Sequence, residues 1–311
     1  MTSTFSEKIK QEITHLEYND LDLESLVFAF LINRLKINLT NEKQEWILES
    51  NFSFIARFIG DSIRRLFNVA VHYSYSAINK FNNMRTYRIM IDDPNFVNVV
   101  EKANHFYELM NTKIQQQDQM VKRAFLSGAF LSGAFLSGGS VGGIDKSIYH
   151  LEIRSSKADY LRILQKILMD FKLSPTILKR KYGYVLYIKR SFEISDFLKL
   201  IGAMNAMFEL EDKIATRDYN NNLHRMNNLD MANMEKTARS GTEQIAMIKK
   251  VIKTDKFKKT PLKFQYFCQL RLKFPTLSLS GLQEKYYNIY KIKVTRTGLN
   301  HYVIKLKEMT K

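Results

Sequence analysis

One cysteine, Cys268, four prolines and one tryptophan are spread over 311 residues. A lone thiol forms no internal disulfide and builds no cysteine-based metal site, which fits a reducing compartment. So few prolines, with only twelve glycines, exclude collagen-like and proline-rich chains. The six histidines, His15, His72, His105, His150, His224 and His301, are dispersed with no pair at i, i+4. No HExxH string and no nucleophile elbow occurs. A long apolar run is also lacking. The nearest, ending at Gly138, covers about 17 residues broken by serines and glycines, short of the ~20 that span a bilayer. Met1 to Lys10 carries no apolar stretch behind a basic start, so a cytoplasmic protein is expected. With 45% hydrophobic residues the chain has the material for packed cores, and disorder is excluded as its main state.

The scarcest residues, taken locally, are acids near the C-terminus. Residues 249 to 311 hold 16 lysines and arginines against three acids, Asp255, Glu284 and Glu308, leaving 32 against 28 in the rest. The net charge of +17 therefore resides mainly in the last fifth of the chain. A lysine-rich genome would inflate lysine everywhere, but it would not empty one segment of acids. Such segregation is expected of a module that binds a polyanion and releases its counterions.

Apolar periodicity gives an order of elements that occurs twice. Asp22 to Asn33 reads as a helix capped by Asp22. Two short strands follow, through Leu35, Ile37 and Leu39 and through Trp46, Ile47 and Leu48, joined at Asn41-Glu42-Lys43. Phe52 to Phe67 is an amphipathic helix, Val69 to Ile78 and Met84 to Ile91 are strands joined at residues 80 to 83, and Asp93-Pro94 opens a helix to about Met110. After a polar linker, Gln115 to Gln119, the second copy runs through a helix at Lys122 to Gly138 and strands at Gly139 to Val141 and Tyr149 to Ser155. It continues with a helix at Lys157 to Phe171, a hairpin around Tyr182-Gly183, and a helix from Phe192 to Ile201 capped by Ser191. The expected fold is α+β: a pseudo-symmetric pair of α-β-β-α-β-β-α units with two sheets forming a saddle.

The helix of the second copy contains three identical pentads, Ala-Phe-Leu-Ser-Gly, from Ala124 to Gly138. Its end approximates a G-x-x-x-x-G-K-[ST] phosphate loop, but Gly139 stands where the phosphate-gripping lysine belongs, so that string binds no nucleotide. Small residues at every fifth place instead suit close approach of a second helix.

The C-terminal segment reads as a helix-turn-helix. Pro261 opens a helix to Lys273, with Leu262, Tyr266, Leu270 and Cys268 inward. Pro275 stops it, and Leu277 to Ser280 caps a second helix. Thr295 caps a third, Arg296 to Met309, with Leu299, Val303 and Leu306 buried. Arg296, Thr297, Asn300 and His301 then face outward near the start of a recognition helix and are the candidates for base readout, with Lys293, Lys305 and Lys307 on phosphates. Before this module, residues 220 to 259 read as a helical connector with a basic face.

Leu131-Ser-Gly-Ala-Phe-Leu-Ser-Gly-Gly139-Ser140 resembles a degenerate LAGLIDADG helix of homing endonucleases, and its flanks resemble one branch of that fold, the bacterial WhiA regulators. The supporting strings are Phe5-Ser-Glu-Lys8, Glu12-Ile13, Lys122-Arg-Ala-Phe-Leu126, Tyr149-His-Leu-Glu-Ile153, Tyr184 to Lys189, Ile201-Gly-Ala203, Asn205-Ala206 and Arg217-Asp218. Arg225 to Thr237, with Asn228, Ala232, Asn233 and Lys236-Thr237, is the most specific, and Gly298 and Asn300 fit the family's G-[IL]-N-H string. The resemblance implies a LAGLIDADG-like domain over residues 1–220, in halves of about 1–112 and 120–215, a basic helical connector at 221–258, and a helix-turn-helix at 259–311. It also puts Arg225 and Lys236 either on DNA or against the saddle.

Homing endonucleases cut with two divalent ions held by one carboxylate at the end of each central helix. Those acidic positions fall here on Asn33 and Gly138, neither of which supplies an anionic oxygen. Asp145 lies nearby as a displaced candidate ligand, more simply read as a solvated loop acid. The expectation is therefore no nuclease, no metal and no cofactor, but a regulator that binds double-stranded DNA in transcription, cell division and chromosome segregation, associated with the nucleoid. The alternatives are a metal-dependent endonuclease and a scaffold whose saddle binds a cell-division or transcription partner. The resemblance also implies that one of the three pentads is an insertion, absorbed toward the N-terminal end of the helix.

Overall fold

The computed structural model describes residues 3–39, 44–77, 85–111, 119–142 and 149–310, and it divides into two compact units, residues 1–216 and 217–311. The turns expected at 41–43 and 80–83, most of the linker at 115–119, and Asp145 lie outside the described residues.

The first unit opens with α1 (Phe5–His15), which periodicity did not single out, followed by α2 (Asp20–Arg34). Asn19, not Asp22, caps α2: its side chain accepts from the Asp22 N–H, and Asp22 sits one turn in, where a carboxylate favours the helix dipole. Strands β1 (Lys36–Leu39) and β2 (Gln44–Ser50), helix α3 (Ser53–Phe67), strands β3 (His72–Tyr75) and β4 (Tyr87–Ile91), and helix α4 (Phe96–Asn111) complete the first half. The second half is α5 (Gln119–Gly138), β5 (Gly139–Gly142), β6 (His150–Ser155), α6 (Ala158–Asp170), β7 (Thr176–Arg180), β8 (Gly183–Ile188) and α7 (Ser191–Leu200). Arg190, not Ser191, holds the cap position of α7, without a side-chain hydrogen bond.

The two sheets have the same antiparallel order, β1-β2-β4-β3 and β5-β6-β8-β7. This is the doubled α+β architecture that the repeated order of elements predicts. Inward positions alternate as a half-buried sheet requires: Trp46, Leu48, Ile89 and Ile91 in one, Leu151, Ile153, Leu186 and Ile188 in the other. Edge strand β1 is exposed along its whole length, so its apolar alternation through Ile37 and Leu39 buries nothing.

Helices α2 and α5 pack against each other at the centre, and each is apolar on every side. Leu26 to Leu31 are all buried, as are Ala129 to Ser132 and Ala134 to Ser137. The close approach of a second helix expected of the pentads is found at Gly133, but the three glycines do not share one seam. Five residues turn a helix by about 140°, so successive glycines face different neighbours. A Cβ on Gly128 would meet the Leu200 carbonyl oxygen at 2.7 Å, on Gly133 that of Leu26 at 2.0 Å, and on Gly138 that of Arg154 at 2.3 Å. Of the three, Gly133 meets the α2 backbone, and Gly138 meets α2 only through the Asn33 side chain at 3.2 Å.

Helix α1 is fixed by polar contacts. Ser6 Oγ donates to the Val141 carbonyl at 2.9 Å and accepts from its N–H at 2.8 Å. Both Glu12 carboxylate oxygens accept from the first turn of α8 (Met204–Val251), from Asn205 N at 2.7 Å and Ala206 N at 3.0 Å.

The second unit contains the rest of α8, a short α9 (Asp255–Lys258), α10 (Leu262–Lys273), α11 (Leu279–Tyr290) and α12 (Arg296–Thr310) around their own core of Ile248, Val251, Phe264, Phe267, Cys268, Leu282, Tyr286, Leu299, Val303 and Leu306. Two residues of α10 expected inward are not. Leu262 is exposed, because the helix begins there and the buried stripe runs through Phe264, Phe267, Cys268 and Arg271; Tyr266 is half-buried, stacked on Tyr290 at 4.1 Å. Among the described residues no helix is long and apolar enough to cross a membrane.

Candidate nucleic-acid interface

Helix α12 is made amphipathic by Leu299, Val303 and Leu306, whose 4-3 spacing places one face on the core of the second unit. Thr295 Oγ1 accepts the Gly298 N–H at 3.1 Å and caps the helix start. Arg296, Thr297, Asn300 and His301 consequently share the opposite face and are all exposed. Lys293 and Lys307 are exposed at the two ends of the same strip, while Lys305 is half-buried with its ammonium 5.5 Å above the Phe264 ring. Arg225 and Lys236 stand on α8 instead. Eleven residues apart, they lie on one side of that helix about 16 Å from each other, both exposed.

The turn between α10 and α11 is held by Arg271, which is 2% exposed. Its Nη1 donates to the carbonyls of Leu277 and Pro275, no carboxylate among the described residues pairs with it, and burial presses its pKa down to about 10. Gly241 of α8 lies under the same turn, where a Cβ would meet the Pro275 carbonyl oxygen at 2.1 Å. Neither residue was legible as part of the module, since an arginine in a basic segment carries no mark of burial.

At the ends of the central helices, Asn33 and Gly138 come together. Asn33 Nδ2 donates to Ser137 Oγ at 2.7 Å and to the Arg154 carbonyl at 3.2 Å. A main-chain carbonyl only accepts, so the amide nitrogen is the atom facing that site. Arg34 adds an Nε–H donated to the Ser137 carbonyl, and desolvation lowers its pKa from the ordinary value. Two donor groups, one of them the Arg34 cation, occupy the place where the nuclease chemistry needs anionic oxygens, so these residues do not fit a divalent ion. Among the described residues no group of three His, Cys, Asp or Glu side chains could hold a metal.

The outward faces of the sheets are not strongly basic. Strand registers place Lys36 and Arg88 beside Glu45 and Glu49 on one, and Arg154 and Arg180 beside Glu152 on the other. Lys36 and Arg88 both bind Glu49, and the Lys36 bond leads in lowering its pKa.

Doubled α/β halves on a central helix pair, followed by a helix-turn-helix core, define a LAGLIDADG-like protein with an appended helical module. Two family models match: the WhiA LAGLIDADG-like domain over residues 127–220 and the WhiA C-terminal HTH domain over residues 223–310. Relatives along nearly the whole length include a protein named probable cell division protein WhiA from Staphylococcus epidermidis, 28% identical over 98% of this chain and 96% of its own. Another of that name, from Lactobacillus helveticus, is 29% identical over 99% and 98%. The crystal structure of full-length DUF199/WhiA from Thermatoga maritima shares the fold, with a TM-score of 0.59 at 23% identity over 99% of this chain and 97% of that one. This chain belongs to the WhiA family.

Proposed function

We propose that the chain is a non-cleaving regulator that binds double-stranded DNA and reads its sequence with α12, acting in transcription, cell division and chromosome segregation at the nucleoid. The observation that carries this reading is the exposed strip of Arg296, Thr297, Asn300 and His301 on a capped, core-anchored helix within the most basic part of the chain. An arginine fork fits the O6 and N7 edge of guanine, an asparagine amide fits the N6 and N7 edge of adenine, and threonine and histidine bond either. Lys293, Lys305 and Lys307, with Arg225 and Lys236 on α8, then fix the register on phosphates; Lys305 leaves its ring contact to do so. The near-balanced charge of the sheet faces supports assigning most of the phosphate grip to the second unit. The amide and glycine at the helix ends support the absence of cleavage. Domain roles follow the same division: a saddle over residues 1–220, a connector at 221–258 and the reader at 259–311, with the saddle offering its surface to a division or transcription partner.

Selection of bound sequences from a random duplex pool, followed by titration of variants, tests the reading. Arg296→Ala is expected to cost about 1–3 kcal/mol and to relax preference at one base pair, whereas Lys307→Ala weakens all duplexes alike and lowers the salt slope by about one. Equal losses on specific and random duplexes for Arg296→Ala would remove α12 as the reader.

A further inference from the structure

A cavity of about 750 Å³ opens beside the ends of the central helices, between Asn33–Lys36, the end of β6 and the β7–β8 hairpin. Six cations line it, Arg34, Lys36, Arg154, Lys157, Arg180 and Lys181, against one acid, Glu152. Lys36 is neutralised by Glu49 at 2.5 Å and Arg154 by Glu152 at 2.8 Å. Of the other four, Arg34 lies in the field of Glu49, whereas Lys157, Arg180 and Lys181 have no carboxylate within ion-pair distance among the described residues. Lys157 Nζ donates to the Ile32 carbonyl at 2.7 Å, and Arg34 spends only its Nε on a carbonyl. Lys36, Glu152, Arg154 and Arg180 also belong to the outward sheet faces, and Arg34, Lys157 and Lys181 add to them here, so positive charge is concentrated within a concave, ligand-sized space.

The rim is built as well as charged. Tyr182 is 88% exposed at the tip of the hairpin, with Lys181 Nζ 5.2 Å from its ring, and Tyr184 is half-buried below it. Gly183, at φ +118°, carries the backbone so close to β6 that a Cβ would meet the Ser155 carbonyl oxygen at 2.6 Å. The hairpin is thereby seated against the wall of the cavity and its aromatic tip is pre-positioned.

We propose that this notch binds a nucleoside di- or triphosphate, with the phosphates on Arg34, Lys157, Arg180 and Lys181 and the base stacked on Tyr182. Three cations without an ion-pair partner, with Arg34 as a partly compensated fourth, face the three to four negative charges of such a ligand, guanidinium forks suit phosphate oxygens, and an exposed tyrosine face stacks any base. No residue of α12 and none of the pentads lines the site. A duplex backbone lying on the sheet faces offers the same phosphate chemistry and would reach Arg180 from that side, so the test carries a duplex arm.

Calorimetric titration of the full chain with ATP in magnesium-free, low-salt buffer provides the test. Saturable binding is expected, weakened at least about tenfold by the double substitution Arg180→Ala and Lys181→Ala, both exposed and checked for an unchanged thermal melt. Tyr182→Ala is expected to weaken ATP but not inorganic tripolyphosphate. A duplex arm separates the two sources of phosphate: the double variant should hold a fixed duplex as tightly as the parent, and Arg296→Ala should hold ATP as tightly. No ATP binding up to about 1 mM, or ATP affinity unchanged in the double variant, overturns the proposal. Equal effects of Tyr182→Ala on ATP and tripolyphosphate, or duplex affinity lost with the double variant where the parent ignores ATP, overturn it too.

Discussion

Lys10 is a buried cation with no ion-pair partner among the described residues. It is 8% exposed, its Nζ 5.3 Å from the Phe52 ring centroid and 5.7 Å from that of Phe135, and burial first, then the field of Arg34, brings its pKa down to about 8. Unfolded, the same lysine keeps its proton to about 10.5, so between these values the unfolded chain binds more protons and stability rises with pH. The penalty is present in full below about 8. Lys10→Met is expected to raise stability at pH 7 by about 1–3 kcal/mol and to abolish the rise between pH 8 and 10.5, read from urea unfolding across that range. Gly138 shows the opposite constraint. Restoring an acid there as Gly138→Asp drives a Cβ into the Arg154 carbonyl oxygen, so a loss of about 2 kcal/mol or more and no Mg²⁺-dependent nicking of plasmid are expected. Alignment with the LAGLIDADG pattern marked both lost acids. It did not show that Asn33 and Arg34 hydrogen-bond to Ser137 across the helix ends, because that requires two helices distant in the chain to meet.

At the scale of elements, the three pentads look like one repeated instruction and act as three different ones. Gly133→Ala pushes α2 away at Leu26, and about 3 kcal/mol of destabilisation is expected in thermal unfolding, since no flexible side chain can yield. Gly241→Ala should do the same to the α10–α11 turn and lower the melting temperature of the second unit in calorimetry. Amphipathic helices such as α3, α6 and α12 were legible from spacing alone, because a single buried stripe leaves a 3.6-residue period. Helix α1 escaped notice as a separate element: its three buried apolar positions, Phe5, Ile9 and Ile13, sit among polar residues, and its anchors Ser6 and Glu12 bind partners 135 and 193 residues away. The caps at Asn19 and Arg190 were misread by a few positions, since a helix gains as much from an acid in its first turn as from one at the cap.

Across the whole molecule, the charge of residues 249–311 is expected to set how the proposed duplex binding responds to salt. If six to ten phosphates are engaged, affinity should fall about 10³ to 10⁵ between 50 and 200 mM salt, and a flat profile in a filter-binding titration would exclude the basic module as the main contact. The candidate reader on α12 was legible without coordinates because capping, stripe and charge all lie within fifteen consecutive residues. The cationic notch was not, since its residues come from positions 33–36, 152–157 and 180–185. By itself the chain's order of residues determined the doubled α+β plan, the terminal module and the missing carboxylates, all of which are local patterns of period, cap and charge. Tertiary structure alone decided which glycine meets which backbone, which lysine and arginine lose their water, and which cations gather into one cavity, because burial and proximity depend on segments far apart in the chain.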